Sequence, residues 1–304
     1  MTMNRRTFLA ASLAGAGGAL LGGCTAAARQ TDVPAGPYRT VTLGKTGIET
    51  SLVGIGTGMH GGGRQSDHTR LGRERFEGLI KACYRRGIRL FDMADLYGTH
   101  PYVGRVLKGV PRQKVTLVSK IWVRRGGIPE KERPGADVLV DRFRKELQTD
   151  YIDLVQIHCM TDPKWTDQQR RQMDLMENLK AKGVIRAHGA SIHSLAALQA
   201  AAEDPWVDVI HARINAYGVK MDGPPEQVAP VLAKAAANGK GILGMKLIGE
   251  GEFRTSDEKK DASIRWVMGP GHANAMVVGF LSEAEVDDFA ARVERLVTPV
   301  AVNA

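Results

Sequence analysis

The sequence predicts an α/β chain folded as a (β/α)8 TIM barrel with a short N-terminal hairpin. Eight short apolar runs recur between residues 38 and 304, and a stretch of amphipathic helical period follows each. The runs are nearly continuous in apolar character, as in Val115-Thr-Leu-Val118, Ile152-Asp-Leu-Val-Gln-Ile157 and Ala275-Met-Val-Val278. Strands of a parallel sheet buried on both faces have this character. No Pro- or Gly-rich linker divides the region, so residues 38–304 read as one barrel domain.

The elements follow in chain order. Residues 1–23 read as a signal peptide: Asn4-Arg-Arg-Thr-Phe-Leu9 resembles a twin-arginine export signal. Phe8 to Gly23 is 16 residues, short of the ~20 apolar residues that a membrane span requires. Leu21-Gly-Gly-Cys24 resembles a lipoprotein box, whose cysteine becomes lipidated and N-terminal after cleavage. The opposing reading is an uncleaved anchor in which Cys24 is only a small residue. Residues 24–37 then form a lipidated tether, flexible by composition. Tyr38–Leu43 and Glu49–Ser51 flank a Gly44-Lys-Thr-Gly47 turn and predict a hairpin closing one end of the barrel. Barrel strands are expected to begin near Leu52, Ile88, Val115, Ile152, Val184, Val207, Gly241 and Ala275. Helices are expected over 69–86, 101–108, 136–147, 167–182, 194–203, 226–238, 258–268 and 282–296.

Gly56-Thr-Gly58-Met-His-Gly61 matches G-x-G-x-x-G after a strand, which makes a doubly wound dinucleotide-binding fold the structural runner-up. In that fold the third glycine opens a helix. Here Gly61 leads into Gly62, Gly63, Arg64 and Gln65 instead.

Bulk composition excludes several classes. The chain is 43% hydrophobic and 25% charged, ordinary globular values. Its net charge is +9; with the leader's Arg5 and Arg6 set aside, 40 basic residues face 33 acidic ones, giving +7. The charges lie in mixed-sign runs such as Arg142, Arg144, Lys145 and Glu146, not in one aromatic-laced patch, so no nucleic-acid partner is expected. Cys24, Cys83 and Cys159 are too few for a disulfide framework and fit no zinc spacing. Cys83 falls on an amphipathic helix and reads as core.

In such a barrel the active site forms at the C-terminal ends of the strands. Those ends carry Asp92 and Tyr97 after the second strand, Lys120 on the third and His158 on the fourth. A tyrosine, with an ordinary pKa of about 10, is a weak acid at neutral pH. A nearby ammonium lowers that pKa. Lys120 is expected to supply the charge, Asp92 to fix the lysine, and His158 to orient a carbonyl or relay a proton. Singly, each has a plain structural explanation: a turn cap, a rim side chain, a snorkelling lysine, a core histidine. Four such groups on adjacent strand ends are hard to obtain by packing alone.

At these residues the chain resembles the aldo-keto reductase family, over nearly all of 38–296. Phe91-Asp-Met-Ala-Asp-Leu-Tyr97-Gly98 is similar to its F-D-T-A-x-x-Y-G segment, and Asp150-Tyr-Ile-Asp153-Leu-Val-Gln-Ile-His158 to its D-Y-I-D-L-x-x-x-H segment. Arg39-Thr-Val-Thr-Leu-Gly44-Lys-Thr-Gly47 and Leu52-Val-Gly-Ile-Gly56-Thr resemble its opening hairpin and first strand. The resemblance implies Tyr97 as general acid, Lys120 and Asp92 tuning it, and His158 helping to bind the carbonyl. It implies NADP or NAD as the hydride carrier, and no metal.

On the cofactor side, Gly189-Ala-Ser191 resembles the family's G-x-S-N, with Ser191 placed to hold the carboxamide and Ile192 where Asn is usual. His211 stands where Gln is common, and Met245 where a tyrosine often stacks on the ring. Met can still cover an aromatic face. Lys246 to Arg254, with Gly249 and Gly251, reads either as a loop approaching the pyrophosphate or as a plain surface loop. Gly279 and Ser282-Glu-Ala-Glu285 sit where barrels commonly hold a phosphate, and Glu285 also completes a capping box. Facing the ribose, Glu285 would repel a 2′-phosphate and favour NAD.

The expected function is therefore a nicotinamide-dependent oxidoreductase acting on a small carbonyl compound or sugar, exported and held at a membrane through a lipid on Cys24. Two alternatives stand beside it. One is a lyase or isomerase using Lys120 or Lys246 as a Schiff-base amine. The other is a non-catalytic barrel lipoprotein that binds a ligand or partner.

Overall fold

The computed structural model describes residues 36–297, and these open with a hairpin of β1 (Thr40–Thr42) and β2 (Glu49–Ser51). Its turn needs a residue without a side chain: Gly44 has φ +54°, and a Cβ there would lie 2.3 Å from the Gly241 nitrogen. Leu43 and Ile48, on either side of that turn, are fully buried among the barrel's inward-facing residues Leu90, Val118, Leu154 and Leu243. The hairpin thus plugs the N-terminal end of the barrel.

Eight parallel strands close that barrel: β3 (Val53–Gly56), β4 (Leu90–Asp92), β5 (Thr116–Ile121), β6 (Ile152–Met160), β7 (Ile185–Ile192), β8 (Val209–Arg213), β9 (Gly241–Met245) and β10 (Ala275–Val278). Each pairs with the next, and β10 returns to β3. Closure removes both sheet edges, which rules out the doubly wound alternative. The strands begin within about two residues of their expected starts, with Ile152, Gly241 and Ala275 as predicted.

The helices surround them: α1 (Asp67–Arg70), α2 (Arg73–Arg86), α3 (His100–Leu107), α4 (Ala136–Leu147), α5 (Trp165–Gln168), α6 (Arg170–Ala181), α7 (Leu195–Glu203), α8 (Pro225–Ala237), α9 (Asp257–Val267) and α10 (Glu283–Val297). The helix expected over 69–86 is two helices, because Gly72 at φ +83° breaks it. The stretch expected over 167–182 is likewise divided, at Gln169. Outward-facing strand residues such as Ile55, Phe91 and Ile121 meet the apolar faces of the helices, for example Leu139, Val140 and Phe143 of α4. Burying each of those α4 side chains contributes about 1.5–3 kcal/mol. Cys83 is fully buried in this outer core, as its place on an amphipathic helix suggested.

Among the described residues no helix is long and apolar enough to cross a membrane. The expected signal peptide, Cys24 and nearly all of the tether lie outside the described residues.

Candidate active site

Strand alternation builds the site. Leu90, Val118, Leu154, Ala187 and Val209 face the barrel interior, and two residues further along come Asp92, Lys120, Gln156, Gly189 and His211. The interior therefore changes from apolar to polar towards the C-terminal ends. Lys120 pairs in register with Gln156, and Ser191 with His211, which places these groups at matching heights.

Lys120 Nζ donates to Asp92 Oδ1 and, at 3.0 Å, to the Met93 carbonyl. Both members of the pair are almost fully buried. Burial pulls each towards neutrality, raising the Asp92 pKa and lowering that of Lys120, while each charge sustains the other. Tyr97 ends a 3-10 turn, Asp95–Tyr97, and Gly98 follows at φ +66°. A Cβ at 98 would collide with the Arg64 carbonyl at 2.0 Å. Buried Asp95 anchors that turn by accepting from Arg64 Nε at 2.8 Å and Arg142 Nη2 at 2.5 Å. Tyr97 Oη lies 3.2 Å from His158 Nε2, and Lys120 Nζ sits 5.3 Å from the centre of the phenol ring.

The electrostatics differ from the sequence expectation in one respect. Burial, and not the Lys120 ammonium, decides the direction in which the phenol is shifted. Burial first, then the Asp92 carboxylate and Cys159, push the Tyr97 pKa well above its ordinary range. His158 is pushed well below its ordinary value by burial and then by Lys120. A neutral phenol thus faces a neutral imidazole.

These two side chains open into a cavity of about 530 Å³, the size of a small-ligand pocket. Asp92 and Met245 line it beside them. Of the other expected cofactor residues, Lys246, Gly251, Gly279 and Glu285 line it as well. Ser191 and His211 are fully buried in the polar layer with Gln156, and Gly249 and Ser282 belong to the bordering loops. Ile192 faces the outer core, so position 192 offers nothing to the barrel interior. Lys246 is held by Glu250 at 2.5 Å. Ser282 Oγ accepts from the Glu285 nitrogen at 3.3 Å, which is half of the expected capping box; one Glu285 carboxylate oxygen accepts from the Leu281 nitrogen at 2.7 Å, one residue before the cap, and so does not complete it. The other Glu285 oxygen is 4.0 Å from Arg254 Nε.

Of the lining residues that were not anticipated, two stand beside the catalytic candidates. His193 lies two positions beyond Ser191 and follows the same inward alternation, so the period-two pattern contained it. Cys159 breaks alternation: its φ of +62° brings it to the cavity directly after His158. Its Sγ is 3.6 Å from His193 Nε2. Burial raises the thiol to about 11 and lowers His193 to about 3.

Residues 52–293 match the model of the aldo/keto reductase family. The chain belongs to that family. It is 30% identical over 169 residues to an NADH-specific methylglyoxal reductase of Escherichia coli, a match covering 50% of this chain and 52% of that protein. A glyoxal reductase of Bacillus subtilis is 33% identical over 147 residues, 45% of this chain and 49% of that protein. The chain thus spans about half the length of these relatives. Among solved structures, an aldo/keto reductase from Klebsiella pneumoniae in complex with NADP and acetate superposes with a TM-score of 0.63 at 21% identity. That match covers 86% of this chain and 91% of the other, and at this identity it speaks for the fold.

The residues present fit a nicotinamide dinucleotide. His211 Nε2 and His158 Nδ1 are buried without hydrogen-bond partners. Ser191 Oγ accepts from the Cys159 nitrogen at 3.0 Å, which leaves its own proton to donate. The same cavity is lined by Gly251, where a Cβ would meet open space, and by Lys246, whose ammonium would have to exchange Glu250 for a phosphate.

Proposed function

We propose that this chain is a nicotinamide-dependent oxidoreductase that interconverts a small carbonyl compound or sugar and its alcohol, with Tyr97 as general acid and base. The observation that carries the reading is the neutral Tyr97–His158 pair, 3.2 Å apart, in the wall of a cavity that Met245 and Gly279 also line. A carbonyl oxygen in the cavity, within hydrogen-bond reach of both Oη and Nε2, would be held by both. Bound nicotinamide would supply or accept the hydride, held by Ser191 and His211 at its carboxamide. A phenol with a raised pKa keeps its proton against a ground-state carbonyl and releases it only as the oxygen gains charge. The phenolate left behind faces the Lys120 ammonium, 5.3 Å from its ring centre, which stabilises charge that exists only late in the reaction. Oxidation of an alcohol runs through the same groups in reverse.

The activities named for the relatives support small aldehydes and dicarbonyls as substrates, and Leu96, Cys159 and His193 make that end of the cavity small and uncharged. A Schiff-base role is disfavoured: Lys120 is buried and bonded twice, and Lys246 is paired with Glu250. With methylglyoxal and reduced nicotinamide nucleotide, Tyr97→Phe is expected to lose about 100-fold or more in kcat. Its nucleotide Kd should stay unchanged, because the ring remains. Undiminished turnover in this variant would sink the assignment.

We further infer export through the twin-arginine-type leader and attachment to a membrane through a lipid on Cys24. The order of the two signals and their separation support this.

A further inference from the structure

The glycine pattern Gly56–Gly61 finds no use as a phosphate loop, because no helix opens at its third glycine. Its surroundings give it another. An added Cβ on Gly58 would lie 2.2 Å from Tyr97 Cζ, and one on Gly61 would lie 2.5 Å from Tyr97 Cδ1. The backbone of this loop is the surface against which the phenol ring rests.

The loop is wedged on its other sides. Thr57 donates from its nitrogen and from Oγ1 to the Asp92 carbonyl, at 3.0 and 2.8 Å. The Gly61 nitrogen donates to the Gly58 carbonyl at 3.1 Å, and the Asp67 nitrogen donates to the Met59 carbonyl at 2.9 Å. The Met59 side chain fills the space above Gly279, where an added Cβ would meet its Cγ and Sδ at 2.6 Å. A side chain at 58 therefore cannot push the loop away; it displaces the ring. Across the ring stand His158, whose own ring is edge-on at 5.4 Å, and the Lys120 ammonium. Displacement changes the 3.2 Å separation between Oη and Nε2.

We propose that Gly58 and Gly61 are positioning residues for the reaction: their bare backbone sets where the Tyr97 hydroxyl stands relative to His158 and the carbonyl. This rests on Tyr97 being the acid. Gly62 supplies an internal control, since its Cβ would meet nothing within 4 Å and its φ is not positive.

The experiment compares Gly58→Ala and Gly62→Ala, using methylglyoxal and reduced nucleotide for turnover, nucleotide Kd, and denaturant unfolding with and without Tyr97→Ala. Gly58→Ala is expected to lower kcat about 10- to 100-fold with KM and nucleotide Kd little changed, since a displacement near 1 Å costs this much. Gly62→Ala should match wild type. Gly58→Ala should destabilise the wild-type chain but not the Tyr97→Ala chain, where the ring is gone. If Gly58→Ala does not fold alone, folding restored by Tyr97→Ala supports the same contact. Wild-type kcat in Gly58→Ala overturns the proposal, as does equal slowing by Gly62→Ala. So does a stability cost, or a failure to fold, that persists without the ring. A fully active Tyr97→Phe enzyme would instead overturn the functional reading beneath it.

Discussion

Asp92 and Lys120 form a charge pair in a place where neither charge would survive alone. Removing one partner leaves the other buried and unpaired, which typically costs about 3–5 kcal/mol. Lys120→Met is therefore expected to lower unfolding free energy by about that amount and to abolish efficient turnover. Asp92→Leu combined with Lys120→Met, an apolar pair of similar volume, should recover much of the stability while remaining inactive. Urea unfolding and a turnover assay read both, and a double variant no more stable than the single one would refute the argument. At this scale the catalytic candidates were legible because period-two alternation puts residue types at strand ends in view. The direction of the Tyr97 shift was not, since it depends on how completely the folded barrel buries the phenol and on the Asp92 carboxylate nearby. Cys159 was hidden for a different reason. A left-handed φ in a strand leaves no mark in hydrophobic periodicity.

The short helix α1, between the first barrel strand and α2, was the least legible element. The sequence suggested one helix over 69–86, yet Ser66 caps a separate turn with Thr69, and Gly72 starts the next helix afresh. What holds α1 is His68, fully buried, with Nε2 2.8 Å from the Phe280 carbonyl beside Gly279. Burial lowers the His68 pKa from 6.5 to about 4, against smaller raising effects from the Phe280 carbonyl and the Asp67 carboxylate. The folded chain keeps this ring neutral where the unfolded chain takes up a proton. Stability is therefore intact above pH 6.5 and falls between pH 6.5 and about 4. A loss of about 2 kcal/mol is expected from this group between pH 7 and pH 5. Unfolding measured at both pH values should show a smaller difference in His68→Gln, and an unchanged difference would remove His68 from the account.

At the scale of the whole molecule, the barrel and the proposed leader are separate matters. The family match begins at residue 52, and the plug hairpin, barrel and cavity all lie within 36–297. Nothing in the barrel's chemistry requires export, so the proposed leader bears on where the protein works rather than on what it does. A reductase outside the cytoplasm would lack a free nicotinamide pool, and twin-arginine export carries folded proteins, so the nucleotide would travel already bound. For its retention we propose the loop that borders the cavity. Gly249 and Gly251 have φ of +56° and +98°, and Lys246 is tied to Glu250, in the loop that borders it. Full-length protein expressed in its own host should fractionate with the membrane, and Cys24→Ser should release it to the soluble exported fraction. Arg5→Lys with Arg6→Lys should leave it in the cytoplasm. Denaturing the membrane-bound form should liberate about one nucleotide per chain, a simple saturation expectation for a cofactor held with slow dissociation. Wild-type protein found in the cytoplasm would defeat the localisation, whereas membrane-bound protein free of nucleotide would defeat only its retention.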